Sequence, residues 1–344
     1  MDQMTSAERM SRFYSREKID PLGGIIVMGS ILSLIPSFEV LVMVFALFAI
    51  FSILTYYPVS TKVVKALGNA QTEGKMMGLY WGIINVLNLV IYAIGFLLIK
   101  VYPDDYVLAY RRLIQVIVVL SIITLLCYWK ALGNQETLIE NDKVTIIELK
   151  KLVKYPQIWK ISLLIFFSYI ITCSMTYFTP FLTDVCGIAE ELVLEVNLFK
   201  GYVWGIAIPV IAGIISDKLT SAAKMISYAA IMLAIGVFVI LQIPVGEQFA
   251  IIVMLVIIDT MQQGIRTQVM VTLSEGDIPK KLMGCAVGFA AFIGYSPDAF
   301  WYTISGNILD KCGNAGYSYI FWYIIISAII CTFLGRSIYK SSKK

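Results

Sequence analysis

The stretch "KMMGLYWG" (Lys75 to Gly82) returns as "KLMGCAVG" (Lys281 to Gly288), with its lysine, second methionine and both glycines kept at a displacement of 206 positions. A pattern that recurs at a fixed distance marks a repeated structural unit. At the same displacement Ser15 falls on Ser221, and "SRFYSREK" (Ser11 to Lys18) lies over "DKLTSAAK" (Asp217 to Lys224). Tyr110 falls beside Tyr317. The identities are few, but their constant offset and the matching order of apolar segments point to a duplication.

Composition says what kind of unit is repeated. Of 344 residues, 59% are hydrophobic and only 15% charged, with a mean hydropathy of +0.81. Soluble domains are about a quarter charged. Apolar runs of about 20 residues recur along the chain, each long enough to cross a hydrocarbon core. They fall at residues 21–34, 38–57, 77–99, 112–129, 159–182, 196–215, 225–241, 249–271, 284–308 and 319–334. The expected fold class is all-α: a polytopic membrane protein of about ten transmembrane helices. Pro36 is expected to end the short first span.

Lys and Arg counting sets the expected orientation. With the N-terminus inside, the inner loops hold 21 basic residues and the outer ends only Lys100, Arg111, Arg112 and Lys311. Both termini are therefore expected in the cytoplasm, with the chain in the cell membrane. The longest loop, between the fourth and fifth spans, reads as a linker, and its "TIIELKKLVK" (Thr145 to Lys154) suits an amphipathic surface helix. The expected organisation is an N-terminal half over 1–131, a cytoplasmic linker over 132–157 and a C-terminal half over 158–344.

The second half then has six spans and the first four. The missing counterparts are those of spans five and six, about 50 residues at the front. On this expectation the chain alone does not transport, and the DNA upstream of Met1, by carrying or lacking an in-frame extension of about 50 apolar-rich residues, decides whether the start is misplaced.

These features, with "GIISDKLTSAAK" (Gly213 to Lys224), resemble the major facilitator superfamily, whose members pair two six-helix halves around a central cavity. The resemblance implies a twelve-helix transporter lacking helices one and two, in a 4 + 6 arrangement. The quoted loop is similar to that family's loop between helices eight and nine: a glycine, an aspartate four residues on, then a basic residue. It departs at Thr220, where a second glycine is common, and at Ala222 and Ala223, where basic residues are common. The resemblance makes Asp217 and Lys218 parts of a cytoplasmic gate. "TYFTPFLTDVCG" (Thr176 to Gly187), "SEGDIP" (Ser274 to Pro279) and "IGYSPDAFWYTISGNILD" (Ile293 to Asp310) look like a branch related to nitrate/nitrite and sugar-phosphate transporters.

A carrier needs polar groups at mid-membrane. "IIDTMQQGIRTQ" (Ile257 to Gln268) places Asp259, Gln262, Gln263 and Arg266 on one helical face. Charge at that depth must face protein or water. The stripe either lines the cavity or forms an ion pair locking this helix to a neighbour. Trp81, Asn85, Asn88 and Tyr92 form a second stripe, expected to face protein because exposed amides in lipid are costly. Tyr92 is the repeat counterpart of Asp298 in "YSPDAF", a candidate coupling residue or, equally, a structural interhelix hydrogen bond; Asp259 is the second candidate for coupling to a proton or cation. Lys200 either snorkels outward beside Glu195 or binds an anion, as the basic residue on helix eight of the resembled branch implies. Tyr56 and Tyr57, counterparts of Gln262 and Gln263, join Tyr169, Thr172 and Thr176 as candidate hydrogen-bonding groups for a solute. Arg111 and Arg112 read as a solvated outer rim.

Other chemistry finds little support. With no histidine and six scattered cysteines lacking a C-x-x-C pair, neither a metal site nor a disulfide framework is expected. No H-E-x-x-H, G-x-S-x-G or phosphate-loop pattern occurs, so no enzyme, pump or cofactor is expected. The basic residues lie in loops between spans, so nucleic acid is not an expected partner, and the polar start does not read as a signal peptide. The functional expectation is a monomeric secondary transporter, working by alternating access on a small polar, anionic solute. That solute is an organic anion, a sugar phosphate or a nitrate-like ion, coupled to protons or sodium. The alternatives are a non-transporting receptor on the same fold and a sugar/cation symporter.

Overall fold

A computed structural model of the chain describes residues 20–49, 51–52, 56, 60, 64, 72–103, 105–132, 151–279 and 282–342. Among the described residues every regular element is helical. In chain order they are α1 (Asp20–Leu32), α2 (Phe38–Ala49), α3 (Glu73–Val101), α4 (Tyr106–Leu132), α5 (Pro156–Ser174), α6 (Phe178–Asp184), α7 (Glu190–Phe199), α8 (Gly205–Lys218), α9 (Ala222–Ile240), α10 (Gln248–Gln268), α11 (Met283–Gly294), α12 (Trp301–Cys312) and α13 (Ala315–Ser342). Tyr57 and most of the segment "TIIELKKLVK" lie outside the described residues.

Among the described residues, six continuous helical stretches are long and apolar enough to cross a membrane: 74–101, 106–127, 156–184, 222–240, 248–275 and 315–342. The chain is a multi-pass membrane protein. Shorter apolar helices cover Leu22–Leu32 and Phe38–Phe48, the first ending ahead of Pro36 as expected.

Two expected spans are interrupted, and each break has a local cause. The sixth, between α7 and α8, passes through a π-helical turn at Lys200–Trp204, with Gly201 and Gly205 at its ends easing the wider backbone path. Pro209 then sits inside α8. The ninth stops at Gly294 and resumes at Trp301, with a 3-10 turn over Ser296–Ala299 between. Pro297 has no N–H to give and disfavours helical backbone at Ser296. Asp298 therefore lies on this turn rather than within a continuous helix.

The chain divides into two compact units. The first comprises 1–69 and 86–143, the second 70–85 and 144–344, so α3 changes unit between Asn85 and Val86. Within the first unit, α1 packs on α4 and α2, and a Cβ at Gly29 would come within 3.0 Å of Val118. Within the second, α5 packs on α13 and on α11, and at the start of α6 the Phe178 ring stacks on Phe321 of α13 at 4.3 Å. The first turns of α3 lie on α8 through a Gly74, Gly78, Gly82 stripe. A Cβ at Gly78 would overlap the Pro209 carbonyl, and one at Gly213 would overlap the Gly74 carbonyl. Small residues four apart let two backbones meet in this way.

Burial separates the helices. About half of the span windows of α5, α9 and α13 is buried (56%, 56% and 50%), against 6% for α3 and none of α4. Faces such as Phe96, Leu97 and Leu126 on those two helices are exposed apolar surface, suited to acyl chains rather than water.

Candidate functional site

The polar stripe of α10 meets partners from three other helices. Lys200, at the start of the π turn, places its Nζ 3.5 Å from Asp259 Oδ1, and the two side chains are only 11% and 9% exposed. Lys200 thus turns inward rather than snorkelling outward beside Glu195, and the contact it makes is the internal ion pair of the alternative reading of the α10 stripe. An isolated charge at that depth would be expensive, and the pairing offsets much of that cost. Trp204 closes the same turn by donating Nε1–H to Thr260 Oγ1, which itself donates to the Val256 carbonyl. The π turn thus aims Lys200 at α10 and then anchors itself there.

One turn further along α10, Gln262 is buried and donates from Nε2 to Thr172 Oγ1 at 2.8 Å. Gln263 is half-buried. Arg266 lies with its guanidinium 5.1 Å above the Trp81 ring. It is exposed and makes no hydrogen bond or ion pair among the described residues. The Trp81 Nε1–H and Asp259 Oδ2 are buried without partners among the described residues.

Asn85 donates from Nδ2 to the Gly205 carbonyl, and Pro209 supplies the reason. In an α-helix the Gly205 carbonyl would accept from the N–H of residue 209, which a proline lacks. The amide of Asn85 fills that vacancy from α3. Asn88 and Tyr92, expected on the same face as Asn85, belong to the first unit and are exposed. Tyr56 also belongs to the first unit, where it is half-buried.

Asp298 accepts from Tyr169 Oη at 2.7 Å through Oδ2 and from Cys173 Sγ at 3.6 Å through Oδ1. Tyr169, Thr172 and Cys173 share one face of α5. That face therefore touches both the α10 stripe, through Gln262, and the turn carrying Asp298. Trp301 fixes the far side of this turn by donating Nε1–H to Ser174 Oγ at 2.9 Å.

At the end of α8, the Asp217 carboxylate accepts from the backbone N–H groups of Gly74 (2.9 Å) and Lys75 (2.8 Å). These are unpaired donors in the first turn of α3, where the helix dipole also favours a negative charge. Gln268 adds a bond from Nε2 to the Gly74 carbonyl at 3.2 Å. Lys218 is exposed and makes no hydrogen bond or ion pair among the described residues. Thr220 takes a left-handed conformation at φ 56°, which explains why glycine is common there. Glu275 accepts from the N–H groups of Ala222 and Ala223 and from Ser221 Oγ, capping α9.

The family model of the Major Facilitator Superfamily matches residues 7–301. The chain belongs to the Major Facilitator Superfamily. Among its relatives, inner membrane protein YihN of Escherichia coli (strain K12) is 26% identical over 308 residues, covering 86% of this chain and 72% of that protein. Inner membrane protein YqcE of the same organism is 22% identical over 322 residues, covering 90% and 76%. In fold the chain is similar to a bacterial homologue of the iron transporter ferroportin in an outward-facing state (TM-score 0.72, 10% identity, 97% of this chain and 86% of that one). It is similar also to the Major Facilitator Superfamily transporter FucP in the outward conformation (TM-score 0.69, 11% identity, 98% and 84%).

As a member of this superfamily the chain is a transporter-type membrane protein, a class that is generally non-enzymatic and handles small-molecule solutes. Sequence reasoning missed Trp204, Gln268, Cys173 and Glu275. Glu275 had a partial signal: "TSAAK" has an N-cap serine but no acidic residue three positions on, so the second half of a capping box had to come from elsewhere. Gln268 had none, since its partner is a backbone carbonyl 194 residues away.

Proposed function

We propose that the chain is a secondary carrier for a small organic anion, working by alternating access and coupled to protons. The observation that carries this reading is Arg266. Lys200 is matched by Asp259, whereas the Arg266 guanidinium is held over Trp81 with its N–H donors open. A planar fork of donors braced on an aromatic ring suits a carboxylate or phosphate oxygen pair. The buried Lys200–Asp259 pair, Gln262 and the Trp81 N–H supply further polar groups for the rest of the solute.

Coupling follows from charge arithmetic. Lys200 and Arg266 balance Asp259 and Asp298, so a bound monoanion leaves one negative charge in excess. A proton taken up at Asp298 restores the balance and loosens its bonds to Tyr169 and Cys173. Asp217, Lys218 and Gln268 act in the inner gate: Asp217 and Gln268 clamp the first turn of α3, and release of that clamp opens the cytoplasmic side. Both termini lie in the cytoplasm on this reading.

The test is anion binding to the purified protein, followed by calorimetry over a panel of sugar phosphates, hydroxy acids, other carboxylates and nitrate. Arg266→Lys keeps the charge but loses the fork and is expected to weaken binding about tenfold or more; Arg266→Gln is expected to abolish it. Buffer-dependent heats should report uptake of about one proton per anion bound, lost in Asp298→Asn. Anion binding indifferent to Arg266 substitution would remove the reading.

A further inference from the structure

A pocket of about 260 Å³ opens between α9 and α13, shares no residue with the polar stripe of α10 and its partners, and is lined by Lys224, Ser227, Tyr228, Arg336, Tyr339 and Lys340. The lining is built from one repeated spacing. Lys224, Ser227 and Tyr228 fall at i, i+3 and i+4 on α9, and Arg336, Tyr339 and Lys340 do the same on α13, so each trio shares a helix face. Gly335 sets how closely the two faces approach: a Cβ there would come within 2.5 Å of Ser227 Oγ and 2.7 Å of the Ala223 carbonyl. Lys224 Nζ lies 5.5 Å over the Tyr339 ring.

Three cations thus share one pocket whose lining includes no carboxylate, and none of them makes an ion pair among the described residues. Helix electrostatics do not account for them all. Lys340 suits the last turn of α13, but Arg336 lies ahead of that turn, and Lys224 stands in the first turn of α9, where the dipole disfavours positive charge. The nearby carboxylate of Glu275 is occupied in capping α9. Like charges gathered in this way are stabilised by an anion between them. Tyrosine hydroxyls beside basic groups suit phosphate oxygens, whereas Ser227 Oγ already donates to the Ala223 carbonyl within α9.

The surroundings say what carries the phosphate. Below Arg336 on the outer face of α13, Phe333, Ile329, Ile326 and Trp322 are exposed, and on α9 Tyr228, Met232 and Ile235 are as well. The Phe238 and Trp322 rings meet at 6.2 Å toward the other end of this helix pair. An apolar seam therefore leads from the basic pocket along the span, with tyrosines where the headgroup layer would lie. We propose that this pocket binds the phosphate of an anionic phospholipid whose acyl chains follow the α9–α13 seam. Basic pockets between transmembrane helices are suited to such headgroups.

The test uses the whole chain in neutral detergent, with thermal unfolding and native mass spectrometry as readouts. Phosphatidylglycerol is expected to raise the unfolding temperature and to remain bound, and phosphatidylcholine is not. Each of Lys224→Gln, Arg336→Gln and Lys340→Gln should weaken phosphatidylglycerol binding about fivefold, and the triple variant should lose it. Lys311→Gln, at the opposite end of the spans, should leave it unchanged. The lipid-free unfolding temperature of the triple variant shows whether the fold is intact. Inorganic phosphate and glycerol phosphate form the second arm: if either reproduces the shift without lipid, the site stands and its ligand is a soluble phosphate. Equal binding of both lipids, or phosphatidylglycerol binding that survives the triple substitution in a folded protein, overturns the proposal.

Discussion

Thr220 is held at φ 56° in the loop that follows α8, a backbone region that costs a β-branched residue about 1–2 kcal/mol. Glycine would relieve that strain while adding some freedom to the unfolded chain. Thr220→Gly is therefore expected to stabilise the protein by about 0.5–1 kcal/mol, read as a higher unfolding midpoint in detergent. Asp217, three residues earlier, accepts two backbone N–H groups through its two carboxylate oxygens. Asp217→Asn keeps one acceptor oxygen and turns a donor amide toward the other N–H. A loss of about 1–3 kcal/mol at this contact is expected, measured as faster labelling of a cysteine introduced at Ser216. The aspartate was legible as a loop motif, but its partners were not, because backbone N–H groups carry no side-chain signature.

At the scale of elements, the junction of α3 and α8 ties sequence to shape. A π turn and a proline in succession leave the Gly205 carbonyl without its usual donor, and Asn85 supplies one from α3. Asn85→Ala should cost about 1–3 kcal/mol by leaving that carbonyl unpaired. In a Pro209→Ala background residue 209 regains its N–H, and the same change should cost less than about 0.5 kcal/mol. The double-mutant cycle measures this coupling directly, and additive losses would break the explanation. The Gly74, Gly78, Gly82 stripe permits the approach, and Gly78→Leu is expected to separate the two helices and lower the yield of folded protein, monitored by size-exclusion chromatography. Of the stripe expected to face protein on α3, the expectation holds only for Trp81 and Asn85, since Asn88 and Tyr92 are exposed, whereas the polar face of α10 could be read from spacing. The breaks beside Lys200 and Asp298 could not, although Gly201, Gly205, Pro209 and Pro297 were all in view, because a proline or glycine permits a break without dictating which one forms.

For the whole molecule, orientation is the property that one labelling experiment decides. Cys312, at the end of α12, is exposed, whereas Cys173, Cys186, Cys285 and Cys331 are buried. Burial also pushes the Cys186 thiol up from its ordinary value, leaving less thiolate to react. With both termini inside, a membrane-impermeant maleimide added to intact cells should label Cys312 in a Cys127→Ser background, and Cys186 only slowly. Labelling of Cys312 only after the membrane is opened would invert the topology. Positive charges read this way because they are retained on the inner side during insertion, a rule that acts on loops and needs no tertiary contact.

The sequence by itself determined the membrane class and the recurring apolar helices, because apolar length is a property of the linear chain. It also placed Asp259 and Arg266 on a single helical face. Only the tertiary structure decided that Lys200 turns inward to Asp259, that Arg266 lies over Trp81, and that Asp298 sits on a turn against α5. Those outcomes depend on which helix lies next to which, and on where a proline or a π turn rotates a side chain about the helix axis. Such rotations follow from the packing of residues far apart in the chain, as Asn85 on Gly205 and Gln268 on Gly74 do.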